Sequence, residues 1–277
     1  MKCKINDCDV YYEMIGEGIP LLILHGSTLD SRSMTGCMEP IFENRKGWKR
    51  IYLDFPGHGQ TPGKDWIKGS DDVLRLVLDF IDCVIPDTKF ILAGLSYGGY
   101  IARGILHHRI ELVSGLLLIV PRVVSHPSKR ILPPKSVIVR EEKFLSELDA
   151  QLCGGFEEVA VVQTQSHWNR YVKEIVSGVD VVDNQFIERL QPTVDELSFD
   201  VDKLPTKFEK PTLIMVGRQD HCVGYQDAWN ILENYPRATF AVLDRAGHAL
   251  QIEQDNLFDA LVNEWLNRVE ESLCNTK

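Results

Sequence analysis

Phe90-Ile91-Leu92-Ala93-Gly94-Leu95-Ser96-Tyr97-Gly98-Gly99-Tyr100 passes from one kind of pattern into another. Phe90 to Ala93 is a continuous apolar run, as expected of a strand covered on both faces, and the stretch from Tyr100 to His107 has helical spacing. Between them stands Gly-x-Ser-x-Gly. In that setting the chain must turn sharply from strand to helix, and such a nucleophile elbow leaves Ser96 strained and pointing outward. Gly94, lacking a Cβ, keeps the strand end clear, while Gly98 and Gly99 let the helix approach its neighbours. The helix N-terminus adds partial positive charge beside the hydroxyl.

Outward from this turn, further apolar runs recur at Pro20 to Leu24, Lys49 to Asp54, Leu116 to Val120, Thr212 to Val216 and Thr239 to Leu243. They are too continuous for half-exposed strands, so a mostly parallel sheet is expected, buried on both faces. Leu74, Val77, Leu78, Ile81 and Ile85 follow an expected N-cap at Ser70 with helical spacing, and Phe258, Leu261, Val262, Trp265 and Val269 repeat the pattern near the end. Lys2 to Ile15 reads as an antiparallel hairpin turning near Asn6-Asp7. From Pro121 to Pro205 the alternation stops. Pro121, Pro127, Pro133 and Pro134 open a segment with helical patterns at Phe144, Leu145, Leu148 and Leu152, then at Trp168, Tyr171, Val172, Ile175 and Val176. The expected division is therefore a core of residues 1–120 and 206–277 with a helical lid inserted at 121–205, lying across one end of the sheet.

Composition narrows the partners. The chain of 277 residues carries a formal charge of −10, which disfavours nucleic acid and anionic lipid surfaces. Its N-terminal stretch is charged at Lys2, Lys4, Asp7 and Asp9, and no apolar run is long enough for a bilayer, so the expectation is no membrane insertion and a place in the cytoplasm. Seven scattered cysteines without a Cys-x-x-Cys pair fit reduced thiols used in packing. No metal-ligand spacing, dinucleotide fingerprint or phosphate loop is visible, and neither metal nor cofactor is expected.

A serine hydroxyl needs a base, usually histidine, whose tautomer a carboxylate fixes. His248 follows the run Thr239 to Leu243 in a loop with Gly247, and Asp220 lies just after the preceding run. Both sit at the carboxyl ends of parallel strands, the same edge as Ser96. His107, His108, His126, His167 and His221 read as surface or loop residues, and His25 and His58 as holders of turns. Asp227 and Asp244, rivals as the acid, read as solvated charges. Charge developing on a carbonyl oxygen would meet the backbone N–H groups of Tyr97 and Ser27. Trp168 and Tyr171 are candidate substrate contacts within the insertion.

Leu24-His25-Gly26, Asp54-Phe55-Pro56-Gly57-His58-Gly59, Gly94-Leu95-Ser96-Tyr97-Gly98-Gly99, Gly217-Arg218-Gln219-Asp220 and Gly247-His248 together resemble the α/β-hydrolase fold superfamily. The resemblance spans nearly the whole chain apart from the insertion. It implies an eight-stranded, mostly parallel sheet flanked by helices, with a helical cap after the sixth strand. It also implies Ser96 as nucleophile, Asp220 as acid, His248 as base, and Ser27 and Tyr97 as oxyanion donors. Members with an aspartate nucleophile, such as haloalkane dehalogenases and epoxide hydrolases, are set aside by the serine at 96. The expected activity is esterase-like: hydrolysis of a small carboxylic ester or related acyl compound through an acyl-enzyme. Two alternatives stay open: the same residues used for carbon–carbon hydrolysis, acyl transfer or a lyase step, and a ligand-binding or signalling protein with a vestigial triad.

Overall fold

The computed structural model describes residues 1–148, 150–190 and 196–275, with the side chains of residues 150–153 excepted. Among them eight strands form one sheet: β1 (Lys2–Ile5), β2 (Cys8–Ile15), β3 (Ile19–Leu24), β4 (Trp48–Leu53), β5 (Phe90–Leu95), β6 (Val113–Ile119) and, later in the chain, β9 (Thr212–Gly217) and β10 (Ala238–Leu243). A separate two-stranded pair, β7 (Val139–Arg140) and β8 (Val162–Gln163), lies between them in sequence. The spatial order is β1-β2-β4-β3-β5-β6-β9-β10. β1/β2 and β2/β4 are antiparallel and every other neighbouring pair in the sheet is parallel.

Alternation along the central strands divides the core. Leu22, Leu24, Leu92, Leu116, Leu118, Ile214 and Val216 face one side, against α2 (Ser70–Val84, after α1, Ser31–Phe42) and α3 (Tyr97–Arg109). Leu21, Ile23, Ile91, Ala93, Leu117, Ile119, Leu213 and Met215 face the other, against α1 and the last helix, Asp255–Cys274. Strands buried on both faces must be apolar at every position, which is why these runs stand out from the sequence. α2 starts one residue earlier than expected of a Ser70 cap. Gly69 occupies the N-cap, the Asp72 carboxylate accepts the Lys68 N–H, and the Ser70 hydroxyl turns to Tyr97 Oη at 3.2 Å.

Register brings the carboxyl ends of the parallel strands level. Leu24 pairs with Gly94, Leu95 with Ile119, Ile119 with Met215, and Gly217 with Leu243. Loops leaving β3, β5, β9 and β10 therefore meet along one rim. Between β6 and β9 come α4 (Glu142–Leu145), α5 (Ala150–Val159) and α6 (Gln165–Tyr171). α6 continues through a π-helical turn at Val172–Val176 into α7 (Ser177–Val179), followed by α8 (Asn184–Leu190). Phe156, Tyr171 and Leu145 are buried together as a small separate core, with Trp168 against it. The Leu152 and Cys153 side chains lie outside the described residues. α9 (Gln226–Asn230), α10 (Leu250–Glu253) and α11 (Asp255–Cys274) complete the chain. Among the described residues no helix is long and apolar enough to cross a membrane.

Candidate active site

Ser96 has φ 51° and ψ −109°, a left-handed backbone that costs a non-glycine residue of order 1–3 kcal/mol. The surrounding structure over-determines it. Its N–H donates to the Ile119 carbonyl at 3.0 Å, and its own carbonyl accepts the N–H groups of Tyr100 (3.1 Å) and Arg122 (3.0 Å). The turn also needs two close approaches. A Cβ on Gly94 would lie 2.4 Å from the Gly98 carbonyl oxygen, and one on Gly98 would lie 2.4 Å from that of Leu24.

The structure brings Ser96, His248 and Asp220 together. His248 Nε2 lies 2.9 Å from Ser96 Oγ, and His248 Nδ1 lies 2.9 Å from Asp220 Oδ2. Asp220 is fully buried, and its other oxygen accepts the N–H groups of Cys222 (2.8 Å) and Val223 (3.0 Å). Burial by itself would raise the pKa of this carboxyl. The charge and hydrogen bond of His248, with the two backbone donors, outweigh that and hold it below the usual carboxylate value. An ionised Asp220 accepting from Nδ1–H leaves Nε2 free to take the proton of Ser96.

Glu253, to which no sequence motif points, secures the loop before His248. It is buried, and one oxygen accepts the N–H groups of Val161 (2.5 Å) and Val162 (3.1 Å), the other that of Gly247 (2.5 Å). Asp227, expected to be solvated, is instead buried and accepts the Ile131 N–H at 3.0 Å, holding the start of the segment after β6. Asp244 is exposed and accepts from Gln219 Nε2 at 2.7 Å.

On the opposite side of Ser96, Gly26 to Leu29 form a turn closed by Leu29 N–H to the Gly26 carbonyl at 3.3 Å. Among the described residues the Ser27 N–H makes no hydrogen bond within the protein. Thr28 is left-handed (φ 60°), held there by its N–H donating to His58 Nε2 at 3.1 Å. His25 works in the same way: Nε2 accepts the Phe55 N–H at 2.9 Å while Nδ1 donates to the Gly26 carbonyl at 2.7 Å. Two buried imidazoles thus fix the loop carrying Ser27.

A cavity of about 180 Å³ opens over Ser96 and His248. Its walls are Gly26, Ser27, Thr28, Leu29 and Leu95 from the sheet side, and Val159, Tyr171, Ile175, Val179 and Gln251 opposite. Tyr171 is among the lining residues. Trp168 does not: its ring packs on Phe156 (5.4 Å between centroids) and stacks on Tyr171 (6.1 Å), because α6 turns that side chain towards its own small core. Ligand atoms of Asp220, Cys222 and His248 lie within 4.8 Å of one another. Two of them already bond each other, and burial followed by the Asp220 charge pushes the Cys222 thiol up to about 12.

Residues 20–255 match a family model described as serine aminopeptidase, S33. An α/β superfamily hydrolase from Oenococcus oeni PSU-1 superposes with a TM-score of 0.86 at 30% identity, covering 94% of this chain and 96% of that one. A pimeloyl-[acyl-carrier protein] methyl ester esterase from Legionella pneumophila (strain Corby) is 26% identical over 271 residues, 93% of this chain and 99% of the esterase. A pyrrolizixenacetamide deacetylase from Xenorhabdus hominickii is 26% identical, with 96% of this chain and 97% of the deacetylase aligned.

Proposed function

From the premise that this chain belongs to the serine aminopeptidase S33 family of α/β hydrolases, we propose that it is an esterase-like serine hydrolase using Ser96 as nucleophile, His248 as base and Asp220 as acid. The observation that carries this reading is the unbroken line of two 2.9 Å hydrogen bonds from Asp220 through His248 to Ser96, opening on an apolar cavity. Ser96 Oγ attacks the ester carbonyl while His248 Nε2 takes its proton, and Asp220 stabilises the imidazolium. The Ser27 and Tyr97 N–H groups meet the oxyanion, each such donor commonly lowering the barrier by about 3 kcal/mol. His248 then protonates the leaving alcohol, and afterwards activates water to release the acid from Ser96. Residues 121–205 act as a cap: Val159, Tyr171, Ile175 and Val179 come from it and close the cavity against water.

The cavity favours an ester over an aminoacyl substrate. A free α-ammonium would need a carboxylate partner, and no Asp or Glu is among the described residues lining the cavity. The test is turnover of p-nitrophenyl butyrate together with labelling by a fluorophosphonate. Wild type should do both, and Ser96→Ala neither, with its circular dichroism unchanged. Turnover surviving in Ser96→Ala refutes the assignment.

A further inference from the structure

Far from this site, two cysteines face each other. Cys3 sits on β1, the outermost strand, separated from the strand of Ser96 by β2, β4 and β3. Its side chain points inward among the core residues packed against α2. Cys83 is exposed in the last turn of α2. The two Sγ atoms are 2.9 Å apart, on residues 80 positions apart in the chain. Among the described residues the other buried thiols have a different fate. Cys8 Sγ lies 3.7 Å from the Pro62 carbonyl, and Cys37 donates to the carbonyls of Ser33 (3.5 Å) and Met34 (3.4 Å), as thiols used only for packing commonly do. Cys3 meets a sulfur instead, and the residue that carries the second sulfur, Cys83, is exposed.

We propose that Cys3 and Cys83 form a dithiol site that a small-molecule disulfide, such as a glutathione-type compound, converts into a reversible bond between β1 and α2. The exposed Cys83 reacts first. Its thiolate attacks one sulfur of the small disulfide, giving a mixed disulfide and releasing one small thiol. The Cys3 sulfur then attacks Cys83 Sγ as its proton leaves, forming the Cys3–Cys83 bond and expelling the second small thiol. Two protein thiols are oxidised and one small disulfide is reduced to two thiols. Burial, and then the neighbouring Cys83, push the Cys3 thiol up to about 12, so Cys3 is a poor first nucleophile and is reserved for the second, intramolecular step. A tie across so long a stretch of chain restricts the unfolded state and fastens the edge hairpin to the body of the sheet.

The intact protein, incubated with oxidised glutathione, is to be examined by non-reducing peptide mapping and thermal melting. The expected result is a Cys3–Cys83 cross-linked peptide pair, a mass lower by two hydrogens, and a melting temperature several degrees higher that returns with dithiothreitol. Cys83→Ser, a change at an exposed position, should show neither cross-link nor rise. Cys83 persisting as a glutathione adduct beside a free Cys3, or both remaining thiols while exposed Cys274 reacts, overturns the proposal. Because mass and melting are read without ester turnover, the outcome is independent of the function proposed for Ser96.

Discussion

His25 and His58 each donate from Nδ1 to a backbone carbonyl and accept a backbone N–H at Nε2, so both are neutral in the folded chain. Burial is the main cause that lowers both to about 4, from 6.5; at His58 the neighbouring His25, its ring 5.2 Å away, adds to it. Their unfolded counterparts titrate near 6.5, so between roughly pH 6.5 and 4 the unfolded chain binds more protons. Stability held above 6.5 is therefore lost as pH falls towards 4, by at most about 3 kcal/mol per ring. Melting temperatures should fall over that window, and His58→Asn should flatten the slope while lowering stability at pH 7; an unchanged slope contradicts the account. Asp220 gives a second residue-level prediction. Asp220→Asn keeps the shape but removes the charge that selects the Nδ1–H tautomer of His248. A drop in kcat on the order of 10⁴ with little change in KM is expected, measured on a short p-nitrophenyl ester. As candidates, Ser96, His248 and Asp220 could be picked out from the sequence because a serine nucleophile demands these residue types after particular strands, and the fold brings them into hydrogen-bond contact. The holding roles of His25 and His58 were readable only in outline, since their partners are backbone groups of other loops.

α10 is a short element with long reach. Its Glu253 carboxylate joins Gly247, beside His248, to Val161 and Val162 at the edge of the pair β7/β8. Burial pushes the Glu253 carboxyl up, against the pull of three backbone donors. Glu253→Gln replaces one accepting oxygen with an NH₂ group that faces an N–H, leaving a buried donor unsatisfied at about 1–3 kcal/mol. A fall of about tenfold or more in kcat/KM and a lower melting temperature are expected, with Glu253→Asp recovering part of both. Equal kinetics for Gln and wild type would show that the loop holds His248 without it. No spacing rule points to such a residue: its three partners are main-chain groups, two of them about 90 positions away. Strands and helices were legible where every position is apolar or the helical stripe is long, as in β5 and α2. The start of α2 was not, because Gly69 and Ser70 are both acceptable caps and the contact of Ser70 with Tyr97 decides between them only in three dimensions. Likewise, Asp227 reads as a solvated helix residue until the segment after β6 folds over it.

The spatial order of the strands is set by their pairing in three dimensions, but for the molecule as a whole a mostly parallel sheet with a common rim at the carboxyl ends of its strands could be inferred before any coordinates. The shape of the cavity could not. Its far wall comes from α5, α6, the π-helical turn and α7, whose aromatic pattern at Trp168 and Tyr171 fits either packing or ligand contact; in the fold Trp168 packs against the small core, while Tyr171 belongs to that core and also lines the cavity. The size and lining of that cavity make the last prediction. A cavity of about 150 Å³ is filled by one benzene ring, so the space over Ser96, about 180 Å³, suits an acyl chain of roughly four to six carbons. Across a series of p-nitrophenyl esters, kcat/KM should rise to that length and fall for longer chains, while aminoacyl p-nitroanilides should be poorer by two orders of magnitude or more, for want of a carboxylate to meet their ammonium. Ile175→Ala removes a wall side chain opposite the sheet and should move the optimum to longer acyl groups. The result to look for is a shift in chain-length preference rather than a uniform loss of rate. An optimum at long chains in the wild type, or a variant whose preference stays put, would mean that the acyl group lies elsewhere than between Leu95 and the helices from Val159 to Val179.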